Sequence, residues 1–315
     1  MTVSILIPAY KPIWFKECLQ SALKQDFPVK EVVVSDDCPT DEIEKIVRAF
    51  DDERIKYHRN KTPLGLVGNY YKLMELSTSE WLKFLDDDDV LIDDAVSKLI
   101  RLVKSHENIT IAFGGNISFR DDVYSKDDSY ELPEFMEGTR YFLEKYPKFP
   151  ITLFSRMLVK RSVMEEIDKS LFSGHIISLD ELVSLRALLK GNVTYEKSAI
   201  CMHRLHPKGY SRTIDINVLC EDLEYVMNPY RYAFEHNIIR RAELESWKNL
   251  MVKKNARGTI TKLISSYEYV NIKKYWLSLY EKHRCIAIRA LFSPRIIIKF
   301  IKSLFKSRSL ENEKL

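Results

Sequence analysis

The sequence predicts an α/β protein: a mostly parallel, doubly wound sheet flanked by helices, followed by a helical C-terminal extension. Three observations carry this. Short apolar runs at Val3–Ile7, Val32–Val34 and Trp81–Leu85 alternate with stretches of helical periodicity, the spacing expected of strand–helix repetition. These runs end in polar or turn-forming residues, namely Pro8-Ala9-Tyr10, Asp36-Asp37 and Asp86 to Asp89. From about Asp215 onward only helical periodicity remains.

Val3–Ile7 reads as a buried strand stopped by Pro8. Pro12 suits a helix start, and Trp14, Phe15, Cys18, Leu19, Ala22 and Leu23 give that helix its apolar face. Val32–Val34 is the second strand, and Ile43, Ile46, Val47 and Phe50 line the next helix. Ile55–Tyr57 is a short third strand. A turn at Asn60–Gly65 leads into a helix at Val67–Leu76 and then the strand ending in four aspartates. Leu99–Val103 lies on a helix, Ile109–Phe113 on a strand, and a short helix follows near Glu137–Tyr146. Phe149–Val159 reads as extended, Ser162–Ile167 as helix. Leu179–Lys190 is a helix closed by Gly191. Beyond Asp215, Leu219, Leu223, Val226 and Tyr230 form one stripe. Leu244, Trp247, Leu250 and Met251 form another, and Tyr275, Trp276 and Leu279 a third. This places an α/β domain at 1–212 and a helical extension at 213–315.

The totals suit such a protein. The chain has 315 residues, 45% of them hydrophobic, enough for a substantial core. Its net charge of +4 is too small at this length to point to nucleic acid, and no nucleic-acid partner is expected. The five cysteines are scattered without CxxC spacing, which excludes a disulfide framework or zinc site as the organising feature. No stretch approaches the ~20 apolar residues of a membrane span. With no signal-peptide pattern at the start, the expected location is the cytoplasm.

The acidic run is the strongest chemical signal. Adjacent carboxylates repel, and at the end of a buried strand their desolvation is costly unless a cation compensates them. Oxygen ligands of this kind suit Mg2+ or Mn2+, ions that commonly also bind substrate phosphates. An acidic turn capping the next helix, through Asp89 or Asp93, accounts for one or two of the aspartates but not four. In a doubly wound sheet, ligands sit beyond the carboxyl ends of the strands, where the three polar motifs converge. Neither GxGxxG nor GxxxxGK[ST] is present.

Ser4-Ile-Leu-Ile-Pro-Ala-Tyr10, Val33-Val-Ser-Asp-Asp-Cys-Pro-Thr-Asp41 and Phe84-Leu-Asp-Asp-Asp-Asp89 together resemble the family 2 glycosyltransferases, over roughly residues 1–212. The resemblance implies the GT-A fold, a nucleotide-sugar donor and inversion at the anomeric carbon. It implies that Pro8, Ala9 and Tyr10 line the nucleoside pocket and that Asp36 or Asp37 binds the base, with Asn69 and Asp87 as further donor contacts. Closure of a turn is the plainer role for Asp37. Asp86 would approach the ribose and Asp88 would ligate the metal. Many members carry Arg-Asn before the acidic motif, whereas this chain has Gly68-Asn69, which leaves the nucleotide less defined.

By the same resemblance, Asp180, six residues before Arg186, falls in the family's Glu-Asp motif, with Leu179 in place of the glutamate. It is the expected catalytic base, with Glu181 as fallback and a helix N-cap as the plainer alternative. Arg204, His206 and Ser211 match an Arg-x-His…Ser segment, making Arg204 a donor contact and His206 a third metal ligand or diphosphate contact. A structural histidine is the alternative.

The tail adds a separate expectation. From Lys282 to Arg308 there are eight Lys or Arg and no Asp or Glu. Arg295, Lys299, Lys302 and Lys306 share one helical face, and Ile297, Ile298, Ile301, Leu304 and Phe305 fill the others. Such a helix at 295–306 suits an anionic membrane surface; packing on the protein's own core or against another subunit are the alternatives. The expected partners are thus a nucleotide-sugar donor and a glycan or lipid-linked saccharide acceptor, with the protein peripheral on the inner face of the plasma membrane. A sugar nucleotidyltransferase and a non-catalytic nucleotide-sugar or membrane-binding module are the rival readings.

Overall fold

The computed structural model describes residues 1–120, 123–125, 130–172, 176–206, 215–266, 268–291 and 296–299. The chain divides into two compact units, Met1–Arg212 and Thr213–Leu315.

The first unit is built around one mixed sheet. β1 (Val3–Ala9) is buried at every position, as is β2 (Glu31–Asp36), the pattern of strands covered on both faces. Pro12 opens α1 (Pro12–Leu23), whose Phe15, Cys18, Leu19 and Ala22 are buried at helical spacing. α2 (Glu42–Arg48) and β3 (Ile55–Arg59) follow, then α3 (Gly65–Leu76) and β4 (Trp81–Phe84). Beyond the acidic run lie the two-residue β5 (Val90–Leu91), α4 (Ala95–Ser105) and the long β6 (Ile109–Arg120). Two further short strands, β7 (Val123–Tyr124) and β8 (Phe135–Met136), fringe the sheet. α5 (Gly138–Arg140) continues as a π-helical turn over Tyr141–Lys145. β9 (Met157–Lys160), α6 (Arg161–Glu165), α7 (Leu179–Lys190) and β10 (Asn192–Arg204) complete the unit.

The sheet order is β3-β2-β1-β4-β9-β6-β10-β5, with β7 beside β6 and β8 beside β10. β3, β2, β1 and β4 are parallel, so the strand order reverses across β1 and β4, and a crevice opens beyond their carboxyl ends. β9 enters antiparallel between β4 and β6. It brings the segment before it, 153–156, against the end of β4. β5 pairs antiparallel with β10 through Cys201↔Leu91, which lays the end of β10 beside the acidic run.

The stretch 149–159 is not a single extended segment. Leu153 has φ 66°, and Phe154–Arg156 forms a 3-10 turn before β9 begins. Tertiary hydrogen bonds override the local pattern: the Leu153 N–H donates to Asp180 Oδ2 at 2.6 Å, and Ser155 Oγ accepts from the Asp86 N–H at 3.1 Å. Positive φ in a leucine is disfavoured and is held here by those contacts, which adjoin the cleft.

Gly138 marks the closest approach in the unit. A Cβ built there would lie 1.8 Å from the Gly191 carbonyl oxygen and 2.2 Å from that of Leu188, both at the C-terminal end of α7. Backbone atoms cannot turn away, so Gly138→Ala is expected to cost about 3 kcal/mol, the overpacking range. A fall of several degrees in thermal melting checks this.

The second unit is helical: α8 (Ile216–Glu221), α9 (Glu224–Glu235), α10 (Arg241–Ser265), α11 (Tyr269–Lys282) and α12 (Arg284–Leu291). Its core includes Leu219, Val226, Leu244, Trp247, Met251, Tyr275 and Leu279. Leu250 departs from the stripe read in the sequence and is 50% exposed, because it lies at the edge of the arc defined by Leu244, Trp247 and Met251. No helix among the described residues is long and apolar enough to cross a membrane. Of the basic tail at 295–306, only residues 296–299 are described; the rest, and Ser211, lie outside the described residues.

Candidate active site

A cleft of about 290 Å³ opens beyond β1 and β4. Pro8 and Lys11 line it from the end of β1, and Asp86, Asp87 and Asp88 from the end of β4. Leu153, Phe154 and Asp180 close one side, and His203, Arg204 and His206 another. Residues scattered over 199 positions of sequence therefore meet because the strand order reverses at this point.

The four aspartates do different work. Asp87 is a bracket: its Oδ2 accepts the N–H groups of Tyr10 at 2.7 Å and Lys11 at 2.6 Å, tying the end of β1 to the acidic loop. Asp88 Oδ2 accepts from Lys11 Nζ at 2.7 Å and lies 2.9 Å from His206 Nε2. Asp89 is fully buried, and its Oδ1 accepts the Arg204 N–H at 3.0 Å and faces His203 Nδ1 at 3.1 Å. Asp86 accepts from the Tyr70 hydroxyl.

Electrostatics separate them further. Burial, and then repulsion from Asp89 and Asp88, push the Asp86 carboxyl up to about 8. Burial and Asp88 push Asp87 up to about 7, against the pull of Lys11. Burial acts the same way on Asp88, but Lys11 and His206 outweigh it and hold that carboxyl below its ordinary value. Burial pulls His203 down, yet Asp89 outweighs it and holds the imidazolium above its usual range. Beneath the loop, the fully buried Lys83 donates to the carbonyls of Ser155 at 2.6 Å and Phe84 at 2.9 Å, and burial lowers it to about 8. This lysine ties the end of β4 to the 153–156 turn.

A pH dependence follows from these shifts. Unfolded aspartates lose their protons near ~4, while the folded protein keeps those of Asp87 and Asp86 up to about 7 and about 8. In that window the unfolded chain binds fewer protons, so stability falls as pH rises. His203 acts in the same direction, since its raised folded value contributes stability at low pH that is lost as pH rises through it. Melting temperature in metal-free buffer is expected to fall between about pH 5 and about pH 8, with a smaller fall when Mg2+ is present.

The donor set fits a hard divalent cation in charge and chemistry. Burial, and then repulsion from neighbouring carboxylates, push two of the carboxyls up, and Asp89 Oδ2 and His206 Nδ1 are buried without a hydrogen-bond partner among the described residues. Among those residues, no three His, Cys, Asp or Glu side chains are already grouped as a metal site.

Asp180 stands at the second position of α7. Ser178 is the N-cap residue, without a side-chain cap bond. Asp180 Oδ2 accepts the Leu153 N–H, and Oδ1 its neighbour Glu181's N–H at 2.9 Å, which aims the carboxylate along the cleft wall. Glu181 faces away, accepting from Tyr146 Oη at 3.1 Å.

Of the nucleoside-binding candidates, Pro8 lines the cleft, whereas Ala9, Tyr10, Asp36, Asp37 and Asn69 lie outside its lining. Asp36 is 1% exposed, with Oδ1 accepting from the Cys38 N–H and Oδ2 from the Tyr57 hydroxyl, each at 2.7 Å. Asp37 accepts from Asn60 Nδ2 at 2.7 Å and the Leu64 N–H at 2.9 Å. Asn69 is buried and donates to the Ser35 carbonyl at 3.0 Å. These residues form one hydrogen-bonded network at the end of β2. Ala9 is buried, whereas the Tyr10 side chain is 57% exposed.

Two residues not singled out by motif hold the site together. The Trp14 ring packs on the His206 ring at 4.4 Å and under the Arg204 guanidinium at 5.6 Å. Arg204 is also stacked on Phe119 at 4.4 Å, bonds the Asp88 carbonyl at 3.0 Å and pairs with Glu17. Trp14 and Glu17 lie one helical turn apart on α1, a spacing that served equally well for an apolar face. The second residue is Lys11, whose pairing with Asp88 spans 77 positions.

Comparison with known proteins points the same way. A family model described as "Glycosyl transferase family 2" matches residues 4–168, more than half of the chain. The chain is 31% identical over 171 residues to a Campylobacter jejuni GalNAc(5)-diNAcBac-PP-undecaprenol beta-1,3-glucosyltransferase, covering 52% of this chain and 55% of that one. It is 29% identical over 113 residues to an Escherichia coli UDP-Glc:alpha-D-GlcNAc-diphosphoundecaprenol beta-1,3-glucosyltransferase, covering 36% and 44%. The chain thus spans about half the length, or less, of these curated relatives. Among solved structures, S. aureus TarS 1-349 superposes with a TM-score of 0.60 at 15% identity, over 98% of this chain and 92% of that one. The same S. aureus protein has been solved in complex with UDP-GlcNAc.

Proposed function

The chain belongs to the family 2 glycosyltransferases and has their GT-A fold, and from that premise we propose that it is an inverting, metal-dependent hexosyltransferase. It moves a sugar from a nucleotide diphosphate-sugar, a UDP-sugar in preference, to a hydroxyl of a growing lipid-linked surface polysaccharide. The observation that carries this reading is the meeting of Asp86, Asp87 and Asp88 with Asp180 in one cleft that also holds Lys11, Arg204 and His206. The names of the C. jejuni and E. coli relatives, both acting on undecaprenol-diphosphate-linked sugars, support the choice of acceptor.

In this reading, Asp88 and His206 hold Mn2+ or Mg2+, which when bound neutralises the donor diphosphate and the charge that develops on it as it leaves. Asp86 faces the ribose. The exposed Tyr10 ring stacks on the base, and Asp36 or Asp37 is the base contact. Asp180 accepts the proton of the acceptor hydroxyl as its oxygen attacks the anomeric carbon. One carboxylate suffices because inversion involves no covalent intermediate. Catalysis belongs to residues 1–212. The basic, apolar segment 295–306 holds the enzyme to an anionic membrane surface, where a lipid-linked acceptor resides.

Product analysis tests this. UDP-, GDP- and dTDP-sugars are incubated with a lipid-diphosphate-linked sugar and Mg2+ or Mn2+. Release of nucleoside diphosphate with extension of the acceptor is the expected result. Release of inorganic diphosphate instead would make the protein a nucleotidyltransferase.

A further inference from the structure

Among the described residues, Lys11 differs from the other cations that line the cleft. Arg204 is fixed by two rings, the Asp88 carbonyl and Glu17. His203 is held by the buried Asp89, and His206 is packed on Trp14. The Lys11 ammonium, by contrast, pairs with a single carboxylate oxygen, Asp88 Oδ2, at 2.7 Å, and its side chain keeps 23% of its exposure. Its backbone is pinned, because its own N–H and that of Tyr10 are bound by Asp87. The head group therefore sits on a flexible four-carbon stem rooted at a fixed point on the cleft wall.

This placement has a physical consequence. Asp88 Oδ2 is the oxygen shared by Lys11 and His206, and a divalent cation approaching that carboxylate meets a unit positive charge already seated on it. The two compete for this oxygen, because like charges a few ångströms apart repel strongly in a partly desolvated site. The stem allows the ammonium to leave without disturbing the loop, and the nearest new anion is whatever the cation brings with it.

We infer that Lys11 is the exchangeable counter-ion of Asp88: it neutralises this carboxylate in the free protein, yields it to the divalent cation, and then pairs with the diphosphate of the bound donor. The first half concerns the free protein alone; the second half rests on the proposed transferase activity. The exchange keeps the acidic loop from standing uncompensated when no ion is bound, and it supplies a positive charge to the diphosphate once the ion has taken its place.

Two binding measurements on the full chain test this. Wild type, Lys11→Met and Lys11→Arg are titrated with Mn2+ without nucleotide, following free Mn2+ by electron paramagnetic resonance. UDP is then titrated by calorimetry in saturating Mg2+. Lys11→Met is expected to bind Mn2+ about tenfold more tightly and UDP about tenfold more weakly, while Lys11→Arg stays close to wild type in the first assay. Misfolding cannot produce tighter Mn2+ binding, so the opposite signs are diagnostic. Equal Mn2+ affinity in wild type and Lys11→Met would overturn the exchange and leave the transferase reading standing. Absence of UDP binding by wild type would overturn that reading and the second half of the exchange, while the Mn2+ titration still decides the first.

Discussion

Replacing Asp180 with asparagine is expected to lower the turnover of sugar transfer by about 10³-fold and to leave donor affinity nearly unchanged. The substitution conserves shape. An asparagine Oδ1 still accepts the Leu153 N–H that Asp180 Oδ2 accepts now, at the loss of the acceptor for the Glu181 N–H, so the strained turn at 153–156 keeps its position. What is lost is a carboxylate able to take the acceptor's proton. A rate loss in kcat with KM for the donor preserved therefore reports base catalysis. If donor affinity falls in parallel, Asp180 instead serves to position the 153–156 turn. Steady-state kinetics with saturating acceptor distinguishes the two, and Glu181→Gln serves as the control, since Glu181 is turned towards Tyr146.

Asp88→Ala is expected to abolish divalent-ion dependence and to reduce nucleoside diphosphate release by about 10²-fold or more. The alanine removes the oxygen shared by Lys11 and His206, leaving two nitrogen groups facing the cleft without their carboxylate. Ion binding is lost. The fold should survive, because Asp87, not Asp88, makes the backbone bracket to Tyr10 and Lys11. An unchanged melting curve alongside lost metal dependence is the expected pair of results, and retained metal-dependent release would remove Asp88 from the ligand set.

The sequence and the structure agree best where one strand's own residues decide its environment. The apolar runs of β1 and β2 announce strands, and both strands are buried at every position. The acidic run at the end of β4 announces a site for the same reason, since four carboxylates there demand compensation. What stays hidden is set by strand order. Nothing local in Met157–Lys160 says that this strand runs antiparallel between β4 and β6, yet that insertion is what breaks the expected extended segment and delivers Ser155 to Asp86. Lys83 interrupts the apolar run of β4 and is fully enclosed, its ammonium donating to the carbonyls of Phe84 and of Ser155 in the 153–156 turn. Asp36 and Asp37 look alike in sequence, and only their partners separate them. Trp14 matched an apolar helix face, and its contact with His206 emerges only when β10 returns beside α1.

The most direct test of the account is equilibrium binding of nucleotide to the folded full chain. UDP, GDP and dTDP are titrated by calorimetry into wild type and Asp88→Ala, with and without Mg2+. The account expects saturable, Mg2+-dependent binding of one nucleoside diphosphate, UDP in preference, that is lost in Asp88→Ala. Failure of the folded wild type to bind any of the three in the presence of Mg2+ would contradict it.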